Sequence, residues 1–367
     1  MSSFVDFDLH GLVGVRLVDA RPADAAAVRR QLGPIESRLE REPDIVIRFV
    51  DAIEDPSPAF LLGVNDAAFT EDSFLVLRGK LKTPARARIP FQEIGRRCEI
   101  VCESGIAAVP LLIAILNLTV LGKGALALHA SAFIHQGIGT LCTGWSKGGK
   151  TETLLAFMAH GASYVGDEWV YLTADGRFMG GIPEPIRLWS WHLKSQRQLR
   201  ERVGSLGRLK LSGFTAAAVA FESWIRVRRS ARLAHRLKAF CKSRLFVDVP
   251  PERLFDRERC LLRGSPDRVL FVISQEVDEV IVETADPRTI AERMVHSLQE
   301  EQSVLRSYYH RFRFAFPDAK NDLIERSAEL QQRVLFRILE NKKAFVVRHP
   351  YPVSLPDLYD RIAPFLK

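Results

Sequence analysis

Apolar and polar positions alternate over short stretches of the first hundred residues, a pattern typical of half-buried strands. Val13 to Val18 shows this alternation, and Asp44 to Val50 and Phe74 to Leu77 are further strand candidates. Pro22 to Leu32 is rich in alanine and predicts a helix. We therefore expect a small N-terminal α+β domain over residues 1–103, without a pattern that indicates catalysis.

A stretch without any charged residue follows, from Ser104 to Gly122. Its nineteen residues approach the length that crosses a bilayer. Pro110 and Asn117 lie inside it, and single charged residues flank it. We therefore expect a buried core helix here and no membrane span.

The next segment predicts a hairpin that leads into a glycine-rich loop. Two apolar runs, 125–135 and 137–144, are separated by a turn signal at Gln136-Gly137. After the loop, Thr151 to His160 has helical periodicity, and Ala162 to Leu172 predicts one further strand. The C-terminal half predicts two helices around Leu206 to Ser212, strands at Leu245 to Val249, Val269 to Ile273 and Glu279 to Glu283, and helices at Pro287 to about Tyr309 and Ala319 to Leu339.

Composition adds the distribution of charge to this outline. The length of 367 residues corresponds to about two domains, and 47% apolar residues exclude a disordered chain. The net charge of +8 is concentrated in residues 194–244, which carry fourteen basic and two acidic residues, whereas the remainder carries 38 basic and 42 acidic ones. We expect a basic helical insert at 194–244 within a C-terminal domain over residues 104–367.

The cysteines and the start of the sequence bear on the compartment. Five cysteines, with no CxxC pair and no histidines at zinc spacing, predict neither a disulfide framework nor a structural metal site. The first residues lack the basic and apolar pattern of a signal peptide. Both observations favour a reducing compartment, so we expect a cytoplasmic protein.

The glycine-rich loop matches the P-loop pattern G-x-x-x-x-G-K-[ST] between a predicted strand and a predicted helix. In such a loop, backbone N–H groups converge on phosphate oxygens at the helix N-terminus. Lys150 would reach the β and γ phosphates, and the Thr151 hydroxyl would hold Mg²⁺. The predicted nucleotide-binding residues are Gly144, Trp145, Ser146, Lys147, Gly148, Gly149, Lys150, Thr151 and Glu152.

Phosphoryl transfer to a hydroxyl also needs a carboxylate near the γ-phosphate. Asp167, with Glu168 beside it, follows Tyr164-Val165-Gly166 in the next predicted strand. Strand ends beside a P-loop strand are where open α/β sheets carry their ligand chemistry. The alternative is a solvated acidic pair in a turn.

Taken together, residues 126–172 resemble the catalytic domain of the HPr kinase/phosphorylase family. Three spacings carry the resemblance: His129 stands fifteen residues before Gly144, the run Lys150 to Thr153 opens the helix, and Asp167 follows Thr151 by sixteen residues. The resemblance implies an α/β fold with a P-loop kinase core of the type shared with phosphoenolpyruvate carboxykinase, acting with ATP and Mg²⁺.

The resemblance also implies roles for single residues. Asp167 would be the general base, and His129 would contact the phosphates or hold the carboxylate. Glu168 would join Thr151 in binding metal, and so would Glu184, which lies within the less similar segment 181–188. The alternative for His129 is a packed strand histidine that bonds to backbone.

The resemblance does not extend to the part of the family that engages its acceptor, HPr. The family's C-terminal signature is not recognisable after Leu245, and its N-terminal domain has no obvious counterpart. We therefore expect a hydroxyl other than that of HPr, on a serine or threonine of a peptide or protein, as in peptide natural-product precursors, or on a small molecule. The resemblance also makes a homo-oligomer an expectation.

The alternative function is that of a nucleotide-gated binding protein whose basic segment contacts nucleic acid or another anionic partner. Sparse aromatic residues and a helical spacing of basic and apolar positions argue against nucleic acid; that spacing involves Arg226, Arg229, Leu233, Arg236, Leu237 and Phe240. A basic lid that grips the acceptor or the phosphates is the third interpretation of this segment.

Trp189 and Trp191 are interpreted as packing residues, and His349-Pro350-Tyr351-Pro352 as a rigid turn.

Overall fold

The computed structural model describes residues 4–54, 60–63, 66–79, 83–227 and 232–367. Its described part is a mixed α/β structure with two large mixed sheets. The eight strands described before residue 104 form the first sheet: β1 (Phe4–Leu9), β2 (Val13–Val18), β3 (Ile45–Val50), β4 (Phe60–Leu62), β5 (Ala67–Phe69), β6 (Phe74–Arg78), β7 (Pro84–Arg88) and β8 (Cys98–Glu103).

The first sheet has the spatial order β1-β2-β3-β8-β7-β6-β5-β4. Its centre is parallel, since β3 pairs in parallel with both β2 and β8, and the other pairs are antiparallel. Helix α1 (Pro22–Leu32) connects β2 to β3. The strand predicted at Val13 to Val18 and the helix predicted at Pro22 to Leu32 are confirmed at the same residues.

Helix α2 (Leu112–Gly122) leads to the second sheet. The strands of this sheet are β9 (Leu126–His135), β10 (Ile138–Thr143), β11 (Ser163–Gly166), β12 (Trp169–Leu172), β13 (Met179–Gly181), β16 (Arg263–Gly264), β17 (Arg268–Ser274), β18 (Ile281–Thr284) and β19 (Lys343–His349). Their order is β16-β13-β12-β9-β10-β17-β19-β18, and β11 also pairs with β9. The predicted hairpin is confirmed as the antiparallel pair β9 and β10.

Two short strands, β14 (Ile186–Trp189) and β15 (Phe246–Val249), form a separate antiparallel ribbon. The remaining helices are α3 (Lys150–Ala159), α4 (Ser190–Ser195), α5 (Arg197–Arg202), α6 (Ser205–Val227), α7 (Arg232–Ser243), α8 (Pro251–Phe255), α9 (Pro287–Glu301), α10 (Ser303–Ala315), α11 (Asp322–Glu325), α12 (Ser327–Leu339) and α13 (Leu355–Ile362).

The second sheet separates two clusters of buried apolar side chains. Along β17, Val269 and Phe271 face the cluster that contains α2, α9, α12 and the first sheet, while Leu270 and Val272 face the cluster that contains α3 and α13. This alternation follows from the two-residue period of a strand. The first sheet, α2 and one face of the second sheet therefore share one continuous core.

The charge-free stretch forms a buried helix only in its second part, because residues 104–111 precede α2 as turns and irregular backbone. Helix α2 is eleven residues long, and the residues of its second half are buried up to Leu121. Within the part of the chain that the structure describes, no helix is long and apolar enough to cross a membrane.

The acidic pair interrupts the strand predicted at Ala162 to Leu172, so that this prediction is wrong. The structure has two strands there, β11 and β12. Glu168 between them adopts a left-handed φ of 69°, and Trp169 N–H donates to Asp167 O at 3.0 Å. The two carboxylates therefore lie in a turn between strands.

Three helix predictions also differ from the structure. The helix predicted from Pro287 ends at Glu301, and after Gln302, with φ −86° and ψ −3°, α10 extends to Ala315. The helix predicted at Ala319 to Leu339 divides into α11 and α12 at Arg326. Residues 206–212 lie inside α6 and do not separate two helices. In the predicted amphipathic spacing, Arg229 lies outside the described residues.

Asn321 ties the C-terminal helices to the N-terminal part of the chain. Its Nδ2 donates to Phe91 O at 2.8 Å and to Ile94 O at 2.9 Å, and its Oδ1 accepts from Ile324 N–H at 3.1 Å. Replacing Asn321 with Ala leaves buried carbonyl groups without donors, so we expect the free energy of unfolding to fall by about 2–3 kcal/mol. Urea unfolding measures this loss. The exposed neighbour Lys320, replaced with Ala, is the control, and equal small effects at both positions would contradict the prediction.

Candidate active site at the phosphate loop

The loop from Gly144 to Gly149 joins β10 to α3 through backbone that favours glycine. Gly144 has φ 150° and Gly149 has φ 106°, while Lys147 is left-handed at φ 63°. A Cβ atom on Gly144 would lie 2.3 Å from Val272 O, and one on Gly149 would lie 2.1 Å from His349 Nε2. Neither position can hold a larger residue unless its neighbours move.

Lys150 begins α3 and folds back over the loop. Its Nζ donates to Trp145 O at 3.0 Å and to Gly144 O at 3.3 Å, and its side chain is buried. Burial lowers the pKa of Lys150, although the charges of Glu168 and Asp167 oppose this shift. Trp145, Ser146 and Lys147, the middle of the loop, are exposed.

Thr151 and Asp167 are in direct contact. The Thr151 hydroxyl donates to Asp167 Oδ2 at 3.1 Å and lies 3.3 Å from Oδ1. Asp167 is buried, and this burial raises its pKa to about 7, with the negative charge of Glu168 acting in the same direction. Thr151 and Asp167, which are sixteen residues apart in the sequence, are thus in contact in the structure.

His129 lies between two carboxylates. It is on β9 opposite Trp169, and its Nε2 is 3.1 Å from Glu168 Oε2. Its Nδ1 is 2.7 Å from Glu301 Oε1, an ion-pair distance without the alignment of a hydrogen bond. Burial acts to lower the pKa of His129, but the contacts with Glu168 and Glu301 outweigh it and raise the pKa.

Glu301 is the residue of this cluster that the sequence analysis missed. It is the last residue of α9, inside the helix that the periodicity extended to Tyr309. No local signal distinguishes it from other acidic residues of that helix. Its pKa is lowered, chiefly by His129, against the opposing effect of burial.

Glu152 contacts a histidine of the segment that follows β14. Its Oε1 lies 3.2 Å from Nε2 of the buried His192, whose Nδ1 accepts from Trp189 N–H at 3.1 Å. The Nε2 of His192 therefore carries the proton and donates to Glu152. Burial acts to raise the pKa of Glu152, but His192 and also His349 lower it.

The predicted metal residues are arranged in two places. Thr151 pairs with Asp167, whereas Glu168 faces His129 and lines a cleft together with Glu184. Among the described residues, no three His, Cys, Asp or Glu side chains form a group that could hold a metal ion. The hydroxyl and carboxylate oxygens at the loop fit Mg²⁺, which usually takes one or two carboxylates and completes its shell with phosphate oxygens and water.

The cleft beside Glu168 has a volume of about 700 Å³. Glu168, Glu184, Arg187 and Glu301 line one part of it. Its other walls come from α1, from residues 107–114 before and within α2, and from α9 and α10. They combine the apolar residues of 107–114 with polar side chains such as Arg30, Gln31 and Gln302. Its size is that of a small-molecule or peptide side-chain site.

The sequence was compared with models of protein families and with curated proteins, and neither comparison found a match.

Gly149 provides a test of the loop's packing. Gly149 and Gly161 both have positive φ, but a Cβ on Gly161 would meet nothing within 4 Å. We expect Gly161→Ala to cost about 1 kcal/mol of unfolding free energy through backbone strain, and Gly149→Ala to cost about 2–3 kcal/mol more because it displaces His349.

Chemical denaturation of both variants measures this difference. In the double variant Gly149→Ala/His349→Ala, the two losses should be less than additive, because the clash has been removed. Equal losses for Gly149→Ala and Gly161→Ala would show that the imidazole does not restrict the loop.

Proposed function

We propose that this protein is an ATP- and Mg²⁺-dependent kinase, similar to HPr kinase in its P-loop core, that transfers the γ-phosphoryl group to a hydroxyl. The observation that carries the proposal is the contact between the P-loop residue Thr151 and the buried carboxylate of Asp167. His129 and Glu168, which the same resemblance singles out, are also in contact. The residues that define the spacing thus form one cluster at the loop.

The loop residues account for phosphate binding. Backbone N–H groups of a glycine-rich loop at a helix N-terminus bind phosphate oxygens. Lys150 would leave the carbonyl oxygens of Gly144 and Trp145 and donate to the β and γ phosphates. Mg²⁺ held by the Thr151 hydroxyl would neutralise phosphate charge. Glu168 and Glu184, which line the cleft, would bind metal on that side.

Asp167 would then receive the proton of the acceptor hydroxyl. As the acceptor oxygen bonds to the γ-phosphorus, the bond from phosphorus to the β–γ bridging oxygen breaks, and ADP leaves. The contact with Thr151 holds the Asp167 carboxylate beside the loop. His129, placed between Glu168 and Glu301, would keep the Glu168 side chain in position.

The 700 Å³ cleft is the place for the acceptor in this proposal. It begins at Glu168, the neighbour of the proposed base, and continues along the apolar residues of 107–114 and the polar side chains Arg30 and Gln31 of α1. Such a cleft suits a hydroxyl on a small molecule or on a serine or threonine of a peptide.

Two substitutions test the kinase proposal. Asp167→Asn keeps the shape of the side chain but removes the base, so we expect kcat to fall by at least about 100-fold, with the Kd for ATP within about threefold. Lys150→Met should lower phosphoryl transfer by at least about 100-fold as well. The measurement is transfer from γ-labelled ATP to pools of hydroxyl-containing peptides and small alcohols, with Mg²⁺ present.

Asp175→Asn is the matched control, because Asp175 is an exposed carboxylate in a turn. It should retain full activity. Full transfer by Asp167→Asn would remove the assigned base, and transfer that does not depend on Lys150 would remove the P-loop role.

Exposed basic helices support a second candidate, a nucleotide-dependent protein that binds an anionic partner. Most described side chains of α6 and α7 are exposed, including apolar ones such as Leu209 at 70% and Phe240 at 52%. The basic residues are distributed over both helices, and Lys238 pairs with Glu222 at 3.3 Å. A surface that combines exposed apolar side chains with basic ones suits an acidic protein or peptide better than the phosphate backbone of a nucleic acid.

A gel shift separates nucleic acid from the other anionic partners. We expect no complex with duplex DNA or single-stranded RNA at about 50 mM salt, because base-stacking side chains are few. A complex that forms at low salt and weakens steeply towards about 200 mM salt would favour the second candidate, with nucleic acid as its anionic partner. The charge-reversed variant Arg208→Glu/Arg236→Glu/Arg244→Glu, altered at three exposed positions, should then fail to form it.

A further inference from the structure

Two aromatic side chains from distant parts of the chain meet beside the phosphate loop. Trp191 belongs to α4, and Tyr351 follows the end of β19 by two residues. Their ring centroids are 6.0 Å apart and their planes stand at 84°. Tyr351 is 64% exposed, and Trp191 is half-buried. The two rings therefore form a corner that is accessible from solvent.

Each ring is close in sequence to a histidine. The one near Tyr351 contacts the loop, and the one near Trp191 contacts α3. His349 Nε2 lies 2.9 Å from Gly148 O, and its ring occupies the space beside Gly149. His192 Nε2 lies 3.2 Å from Glu152 Oε1, in the first turn of α3. Both aromatic residues are thereby held near the end of α3 at which phosphates bind in the proposed function.

The proposed kinase needs a place for the base of its nucleotide. The loop, Lys150 and Thr151 account only for phosphates and metal. Nucleobases bind proteins largely by stacking on aromatic rings, and each stacked base contributes substantially to affinity. Outside the acceptor cleft, the corner of Trp191 and Tyr351 offers such a surface next to the loop.

We propose that Trp191 and Tyr351 form the base-binding site for the nucleoside triphosphate held by the phosphate loop. The base stacks on the exposed ring of Tyr351, and its edge rests against Trp191. Stacking depends on the area of the π surface, so the site takes purines in preference to pyrimidines and accepts ATP and GTP similarly. This inference rests on the proposed nucleotide binding.

Calorimetric titrations with two ligands separate base binding from phosphate binding. The ligands are the magnesium complexes of AMP-PNP, a non-hydrolysable ATP analogue, and of inorganic tripolyphosphate, which has no base. The proteins are the wild type, Tyr351→Ala, Tyr351→Phe, Trp191→Ala, Trp191→Phe and Trp145→Ala. Phe314→Ala is the matched control, because Phe314 on α10 is 72% exposed and is distant in the fold from the corner.

We expect Tyr351→Ala and Trp191→Ala to weaken AMP-PNP binding about tenfold or more and to leave tripolyphosphate binding unchanged. Tyr351→Phe and Trp191→Phe should bind AMP-PNP like the wild type, because the aromatic face is retained. Wild type should bind the purine triphosphates GTP and ATP more tightly than CTP and UTP, and Tyr351→Ala should lose that preference.

Several outcomes would overturn the inference. Unchanged AMP-PNP affinity in both Ala variants, or an equal loss for AMP-PNP and tripolyphosphate, would leave the two rings with a packing role only. A selective loss of AMP-PNP binding in Trp145→Ala alone would assign the base to the exposed tryptophan of the loop itself. Wild-type protein that binds neither ligand would overturn nucleotide binding as a whole, whereas binding of tripolyphosphate without any effect of the base would remove this inference alone.

Discussion

Gly144 and Gly149 have no room for a side chain, and the rest of the candidate site depends on this constraint. Val272 O of β17 closes one side of the loop, and the His349 ring at the end of β19 closes the other. β10, β17 and β19 are parallel neighbours, so their carboxyl ends meet at one edge of the sheet. The loop is thus shaped by strands that follow it in the chain by more than a hundred residues.

Charge is the second feature that organises the site. Around one buried lysine, Lys150, the fold gathers the carboxylates of Glu152, Asp167, Glu168 and Glu301. Each has a neighbour that offsets its burial: a histidine for Glu152, Glu168 and Glu301, and the Thr151 hydroxyl for Asp167. Asp167 has a hydroxyl as its partner where the others have a histidine, and its pKa is the one that burial raises. Different partners therefore give neighbouring carboxylates opposite pKa shifts.

Local patterns predicted much of the fold but not its interruptions. Alternation located β2, alanine content located α1, and periodicity located the start of α9, because each of these signals is local to its element. The breaks at Glu168 and Gln302 are single residues between elements, and the apolar pattern of the chain does not mark them. Both breaks shape the site: one places the acidic pair in a turn, and the other ends α9 at the residue that contacts His129.

The sequence by itself determined the glycine-rich loop, the hairpin before it and the spacing of His129, Thr151 and Asp167, because all of these lie within about fifty contiguous residues of regular strand and helix. Only the tertiary structure decided which side chains complete the site. Glu301, His192 and His349 come from separate elements, and nothing in their local sequence distinguishes them. Parallel strands and a shared core bring them to one edge of the sheet, and such long-range contacts leave no short-range pattern in the chain.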